Sequence, residues 1–96
     1  MGDSQQTLEI RDNRAAGRYE ADVGGGLAIA EYRLDGDTIT FTHTEVPREL
    51  EGRGIGSRLA RFALDDARAR GLRVVPRCSF IADYIRRHPE DQSLTT

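Results

Sequence analysis

The hydrophobic period of the chain changes once, after Val46, and that change limits the folds open to it. Upstream, apolar and β-branched residues recur at every second position; downstream they recur at helical spacing. Residues 38–46 read Thr-Ile-Thr-Phe-Thr-His-Thr-Glu-Val. β-branched residues dominate, so this is a strand. Strict alternation puts Ile39, Phe41, His43 and Glu45 on one face and Thr40, Thr42, Thr44 and Val46 on the other. Shorter strand patterns precede it at Leu8–Arg11, Arg18–Val23 and Leu27–Leu34, punctuated by Asp12-Asn13, Ala16-Gly17 and Gly24-Gly25-Gly26. Asp35-Gly36 predicts a hairpin with a type I′ turn, which needs φ > 0 at both central positions.

Downstream of Pro47 a loop runs to Arg53. Ile55, Leu59, Phe62, Ala63 and Ala67 then form one helical stripe, with Arg58, Arg61, Asp65 and Arg68 largely off it. Gly71 suits the position that ends the helix. Leu72–Val75 is an apolar run fit for a strand buried on both faces, and Pro76 stops its pairing. A second helix is predicted over Ser79–Arg87, with Phe80, Ile81, Tyr84 and Ile85 apolar; His88-Pro89 ends it. A helix joining the strands at Thr38 and Leu72 makes them parallel neighbours with a right-handed crossover. The fold class is α+β: a mixed, mostly antiparallel sheet and two main helices. Residues 1–96 make one domain, in which 1–7 and 91–96 are polar and expected to be disordered.

Composition narrows the function classes. The 14 basic and 16 acidic residues leave a net charge of −2, which argues against a general nucleic-acid binder. All 14 bases are arginine, and they are unevenly placed: residues 1–46 hold 4 Arg and 9 acids, residues 47–96 hold 10 Arg and 7 acids. An anion-seeking surface therefore belongs to the second half. No apolar run approaches the roughly 18 residues of a membrane span, and the polar, acidic start fits neither a signal peptide nor a myristoylation signal. The single cysteine, Cys78, excludes an internal disulfide and fits a reducing cytosol, so a cytoplasmic location is expected. One cysteine with two distant histidines speaks against a zinc site, so no metal is expected.

Glu51-Gly52-Arg53-Gly54-Ile55-Gly56-Ser57 sits between a strand and a helix. Free N–H groups at a helix N-terminus, helped by its macrodipole, bind phosphate oxygens. Gly52, Gly54 and Gly56 allow close backbone approach, and Arg53 and Arg58 flank them. No lysine follows, which excludes the P-loop pattern. Ser57 stands where the dinucleotide fingerprint wants Gly or Ala. The plain alternative is a glycine-rich turn that merely starts a helix.

In this setting the chain resembles the GNAT superfamily of acyl-CoA-dependent N-acetyltransferases. The signature of that superfamily, Gln/Arg-x-x-Gly-x-Gly/Ala, falls between its fourth strand and third helix. Here Glu51-Gly52-Arg53-Gly54-Ile55-Gly56 occupies that place, with Glu51 departing from Gln or Arg. More closely, residues 19–90 resemble the short stand-alone GNAT-like proteins through His43-Thr44-Glu45-Val46-Pro47, the glycine loop, Val74-Val75-Pro76-Arg77-Cys78 and Tyr84-Ile85-Arg86-Arg87-His88-Pro89. The resemblance implies the acyl-CoA N-acyltransferase fold, of the three-layer α/β type, whose sheet splays open between its two parallel strands. It implies acetyl-CoA as acyl donor, with pantetheine paired to Thr44, Glu45 and Val46 and pyrophosphate on the amides of Arg53–Ser57, and with Gly52 in the same cradle. The acceptor would be an amine; without the helices that follow the first strand in ordinary GNAT enzymes, the chain either uses an open site for a protein or peptide amine or borrows a partner. No nucleic-acid or membrane partner is expected, and the assembly would be a monomer or weak homodimer.

Amide transfer from a thioester needs a neutral amine, in-line placement and a stabilised oxyanion. His43 is the candidate base, with Glu45 as a second base or an orienting partner; a hydrogen-bonded core histidine is the alternative. Cys78 opens the second helix, where thiolates are favoured, and the resemblance implies a role near the acetyl group: it would accept acetyl in a ping-pong route. Plain packing is the alternative. The resemblance also makes Tyr84 a candidate to protonate the leaving CoA thiolate, against a place in the amphipathic core. Arg77, Arg86 and Arg87 would meet the 3′-phosphate or simply solvate a helix face. Two functions stay open: an N-acetyltransferase, or a non-catalytic acyl-CoA-binding or sensing module. An interaction domain that has lost the cofactor is disfavoured by the three glycines.

Overall fold

The computed structural model describes residues 8–24 and 26–96; the expectation for residues 1–7 and the Gly25 part of the triple glycine lie outside them. The period-2 half folds as an antiparallel meander of β1 (Glu9–Asn13), β2 (Arg18–Asp22), β3 (Leu27–Asp35) and β4 (Thr38–Glu45). The helical half adds a 3₁₀ turn at Arg48–Leu50, α1 (Ile55–Ala69), β5 (Arg73–Pro76), α2 (Ser79–Arg86) and a 3₁₀ segment at Pro89–Thr95. The five strands lie in sequence order in one sheet, with β5 parallel to β4. The hairpin turn is Gly36-Asp37, and only Gly36 has positive φ. That is the pattern of a type II′ turn rather than type I′.

Strict alternation fails in β4. Phe41 pairs with Tyr32 and His43 with Glu31, so Thr42 is an extra residue opposite no partner. Such a β-bulge reverses which face the following residues occupy. Ile39 and Phe41 therefore face the helices and are fully buried, while His43 and Glu45 turn to the other face and are exposed. Thr44, paired with buried Ala30, takes the helix side. The expected common face of Ile39, Phe41, His43 and Glu45 is thus corrected by one inserted residue.

Both helices pack on one face of the sheet, against Tyr19, Ala21, Ala28, Ala30, Tyr32, Ile39, Phe41 and Val74. Alanines meet there from both sides, since Ala60, Ala63 and Ala67 of α1 are buried too, which lets the helix sit close to the sheet. Phe62, expected on the buried stripe, is 39% exposed and only leans its edge on Tyr19, while Ala60 and Leu64 take buried places. Among the described residues no helix covers the opposite face, so the molecule has two layers. That bare face explains why Val75 of β5 is only half-buried, against the expectation of burial on both sides. It also carries Glu20, hidden beneath donors from Arg11 (2.6 Å), Asn13 (2.9 Å) and Arg18 (2.6 Å). Hydrogen bonds from Arg18 and Asn13 hold the Glu20 carboxyl below the usual carboxylate range.

Residues 91–96, expected to be loose, lie in or beside the terminal 3₁₀ segment. Asp91 and Leu94 are buried. Two arginines of α1 hold the Asp91 carboxylate: Arg61 donates to both oxygens at 2.9 and 2.7 Å, and Arg68 donates at 2.7 Å. Polar composition alone hid this anchor. Another cluster gathers at Asp66 and Arg70: Tyr19 donates to Asp66 and Tyr32 to Asp12, with Arg70 bridging both carboxylates. Burial, then the hydrogen bond to Asp12, pushes the Tyr32 phenol up to about 12.

Candidate functional site

β4 and β5 pair only as far as Phe41 and Pro76. The backbone N–H groups of Arg77 and Cys78 both donate to the Phe41 carbonyl, at 3.0 and 2.9 Å, and there the pairing ends. β4 runs on to Glu45 without a β5 partner, so the parallel pair opens just after the bulge. The opening leads into a cleft of about 450 Å³. Thr44 and Val46 line one wall, Leu50, Glu51 and Gly52 the rim, Gly54–Ser57 the start of α1, and Phe80 of α2 the remaining side.

The glycine loop forms the end of this cleft. Gly54 is the N-cap of α1 in the left-handed region, φ +77°, and no side chain caps the helix. Gly54 therefore offers the first N–H groups of α1 no side-chain acceptor. Gly52 also has positive φ, at +88°, and a Cβ at either position would meet open space. Conformation, not crowding, is what calls for glycine at both. Gly56 differs: its Cβ would stand 2.8 Å from Cζ of Phe80. Arg53 is exposed at the loop and is not among the residues lining the cleft. These features fit a phosphate-bearing ligand: uncapped amides, glycines with space above them, and an apolar channel leading inward. Glu51 at the rim is the one carboxylate on the lining.

The hydroxyl of Thr44, which lines the cleft, lies 3.1 Å from the Sγ of Cys78, which does not. Cys78 is the N-cap of α2 and is 7% exposed. The bulge is what turns Thr44, rather than His43, toward this thiol. His43 instead points to the bare face, where its Nε2 lies 3.7 Å from Glu45 Oε1. Glu45 contributes with Thr44, Val46 and Glu51 to a second depression, shared with Gly26, Leu27 and Arg48. Tyr84 is buried, stacked on His88 at 3.9 Å and close to Arg61, whose guanidinium reaches its hydroxyl at 3.4 Å. It belongs to the cluster that anchors Asp91, not to the cleft lining. Phe80 and Leu50 also line the cleft, although sequence pattern alone marks neither as a site residue. An aromatic in the turn after Cys78 was the available signal for Phe80.

Among the described residues no group of three or more His, Cys, Asp or Glu is placed to hold a metal, and no helix is long and apolar enough to cross a membrane. Residues 18–94 match a family described as GCN5-related N-acetyltransferase. Protein NATD1 of Gallus gallus is 37% identical over 90 residues, covering 91% of this chain and 82% of that protein. Protein NATD1 of Homo sapiens is likewise 37% identical over 90 residues and covered to 80%. The solution structure of a GCN5-like protein from Staphylococcus aureus superposes with a TM-score of 0.72 at 28% identity, covering 94% of this chain and 89% of that one. Its fold is this fold: a mixed, mostly antiparallel sheet with one parallel pair. The chain belongs to the GCN5-related N-acetyltransferase family.

Proposed function

We propose that the cleft binds acetyl-CoA and that the chain transfers its acetyl group to an amine. The observation that carries this reading is the cleft itself: the parallel pair opens directly onto the uncapped N-terminus of α1. Backbone amides from Gly54 to Ser57 would hold the diphosphate. Thr44 and Val46 would line the pantetheine arm, and the Thr44 hydroxyl touches Cys78, which lies behind the lining rather than on it. When bound, acetyl-CoA supplies an acetyl group activated as a thioester. The Cys78 thiol would take that acetyl, its proton leaving with the released CoA thiol, and then yield it to the amine. The Thr44 hydroxyl orients the sulfur. His43 and Glu45, on the far side of β4, face the side from which an acceptor can approach without crossing a helix, and the imidazole would remove the amine proton there. With no covering layer on that side, a protein or peptide amine fits better than an enclosed small molecule.

A second reading, a non-catalytic acyl-CoA-binding module, is favoured by the placement of two expected catalytic groups. Tyr84 is tied to His88 and Arg61, and His43 does not face the cleft. Intact-mass analysis after incubation with acetyl-CoA separates the two. One added acetyl group, absent in Cys78→Ala, is expected for transfer through the thiol. Binding by calorimetry without an adduct, and without acetylation of an added amine, assigns the chain to the second reading. The chain has no lysine, so among its amines only the N-terminus can confuse the mass.

A further inference from the structure

Gly56 sits in the first turn of α1 and is not among the glycines with positive φ. Backbone freedom therefore does not account for it. What lies above its Cα does: a Cβ there would stand 2.8 Å from Cζ of Phe80, 3.3 Å from Cε2 and 3.4 Å from Cε1. The ring tip of Phe80 is seated on the bare backbone of α1. Both residues line the cleft, and Phe80 lies two positions after Cys78 in the first turn of α2. The contact thus spans from the helix that forms the amide cradle to the turn that carries the thiol.

We infer that Phe80 sets the width of the cleft, and that residue 56 is glycine to hold the ring against α1 and out of the path of the ligand. The inference rests on the cleft being the acetyl-CoA site. A methyl group at position 56 displaces the far end of a side chain with two free torsions. The ring also packs on the core cluster, so the open cleft is the direction left to it. Glycine at 56 would then matter through Phe80, whereas glycine at 52 and 54 matters through φ.

The test is a double-mutant cycle on acetyl-CoA affinity, measured by calorimetry for wild type, Gly56→Ala, Phe80→Leu and the double variant. Leucine lacks the Cε and Cζ atoms that crowd position 56. Gly56→Ala is expected to weaken binding by about tenfold or more, and the double variant to return to within about threefold of Phe80→Leu. A double variant as weak as Gly56→Ala overturns the inference, because the added methyl then obstructs the ligand directly. The second readout needs no acetyl-CoA: the rate at which iodoacetamide labels Cys78, the single cysteine. Gly56→Ala is expected to slow labelling, Phe80→Leu to speed it, and the double variant to follow Phe80→Leu. Equal rates in all four proteins overturn the inference. If wild type binds no acetyl-CoA while the labelling pattern holds, the proposed function falls and the role of the pair in the cleft stands. Should Gly56→Ala fail to unfold cooperatively, Phe80→Leu alone decides, since it adds no atom: unchanged labelling overturns the inference.

Discussion

Asp91 exposes no surface, yet its carboxylate is ionised by design of its surroundings. Burial alone would push the group up; hydrogen bonds and charge from Arg61, then from Arg68, outweigh it and hold the carboxyl below its ordinary range. A carboxyl depressed in the folded state stabilises the fold above its unfolded value, near 3.9, and that contribution is lost as pH falls through the folded value. Glu20 acts with the same sign. Thermal melts should therefore shift down as pH is lowered from about 5 to about 3, and Asp91→Asn should shift less; parallel curves would contradict this assignment. Arg61 and Arg68 are 33% and 45% exposed, which limits the cost of breaking the pair at neutral pH to about 1–2 kcal/mol. For a domain of this size that is a fall in Tm of roughly 5–15 °C. His43 is the opposite case, with a side chain 56% exposed on the bare face. His43→Ala should change stability by less than about 0.5 kcal/mol. If the imidazole serves the acceptor, Cys78 loading by mass should be unchanged while transfer to an added amine slows by about 10²-fold; slowed loading would place it in the cleft instead.

β4 decides the chemistry of the molecule through one residue. Were Thr42 paired opposite Glu31 in a regular ladder, His43 and Glu45 would fall on the helix side and Thr44 would turn away from Cys78; deleting Thr42 instead joins Phe41 to His43 and leaves these faces as they are. Such a deletion is expected to keep a cooperative melt, at a cost of no more than about 2 kcal/mol; loss of cooperative unfolding would show that the pairing of His43 with Glu31 does not by itself fix the faces of β4. Nothing in Thr-Ile-Thr-Phe-Thr-His-Thr-Glu-Val marks this insertion. Thr42 is one threonine of four, and the bulge arises from pairing with Glu31 and Tyr32, which is a non-local event. The elements themselves were legible because their periods differ and their ends carry Gly36, Gly54, Gly71 and Pro89. The glycine loop was legible for the same local reason. Tyr84 was not placed in advance, since helix phase alone does not tell the cleft from the Arg61–Asp91 cluster. Phe80 was readable as apolar but not as the partner of Gly56, for the two lie 24 positions apart.

At the scale of the molecule, the sheet divides two tasks. Its helix side holds the core, the cleft and the α1 amides; its bare side holds His43, Glu45 and the Glu20 ion pairs. The charge imbalance follows this division in part, because the chain after Val46, with 10 arginines against 7 acids, builds the loop and both helices. A polyanionic ligand would meet the more positive half, and its affinity should fall as salt rises. The most direct measurement is an NMR titration of the labelled protein with acetyl-CoA, following every backbone amide. The amides of Gly52 to Ser57 should shift most, with Thr44, Val46, Cys78 and Phe80 next, while those of β1 and β2 stay in place. Shifts concentrated on β1 and β2, or none at millimolar acetyl-CoA, would contradict the assignment of the cleft as the donor site.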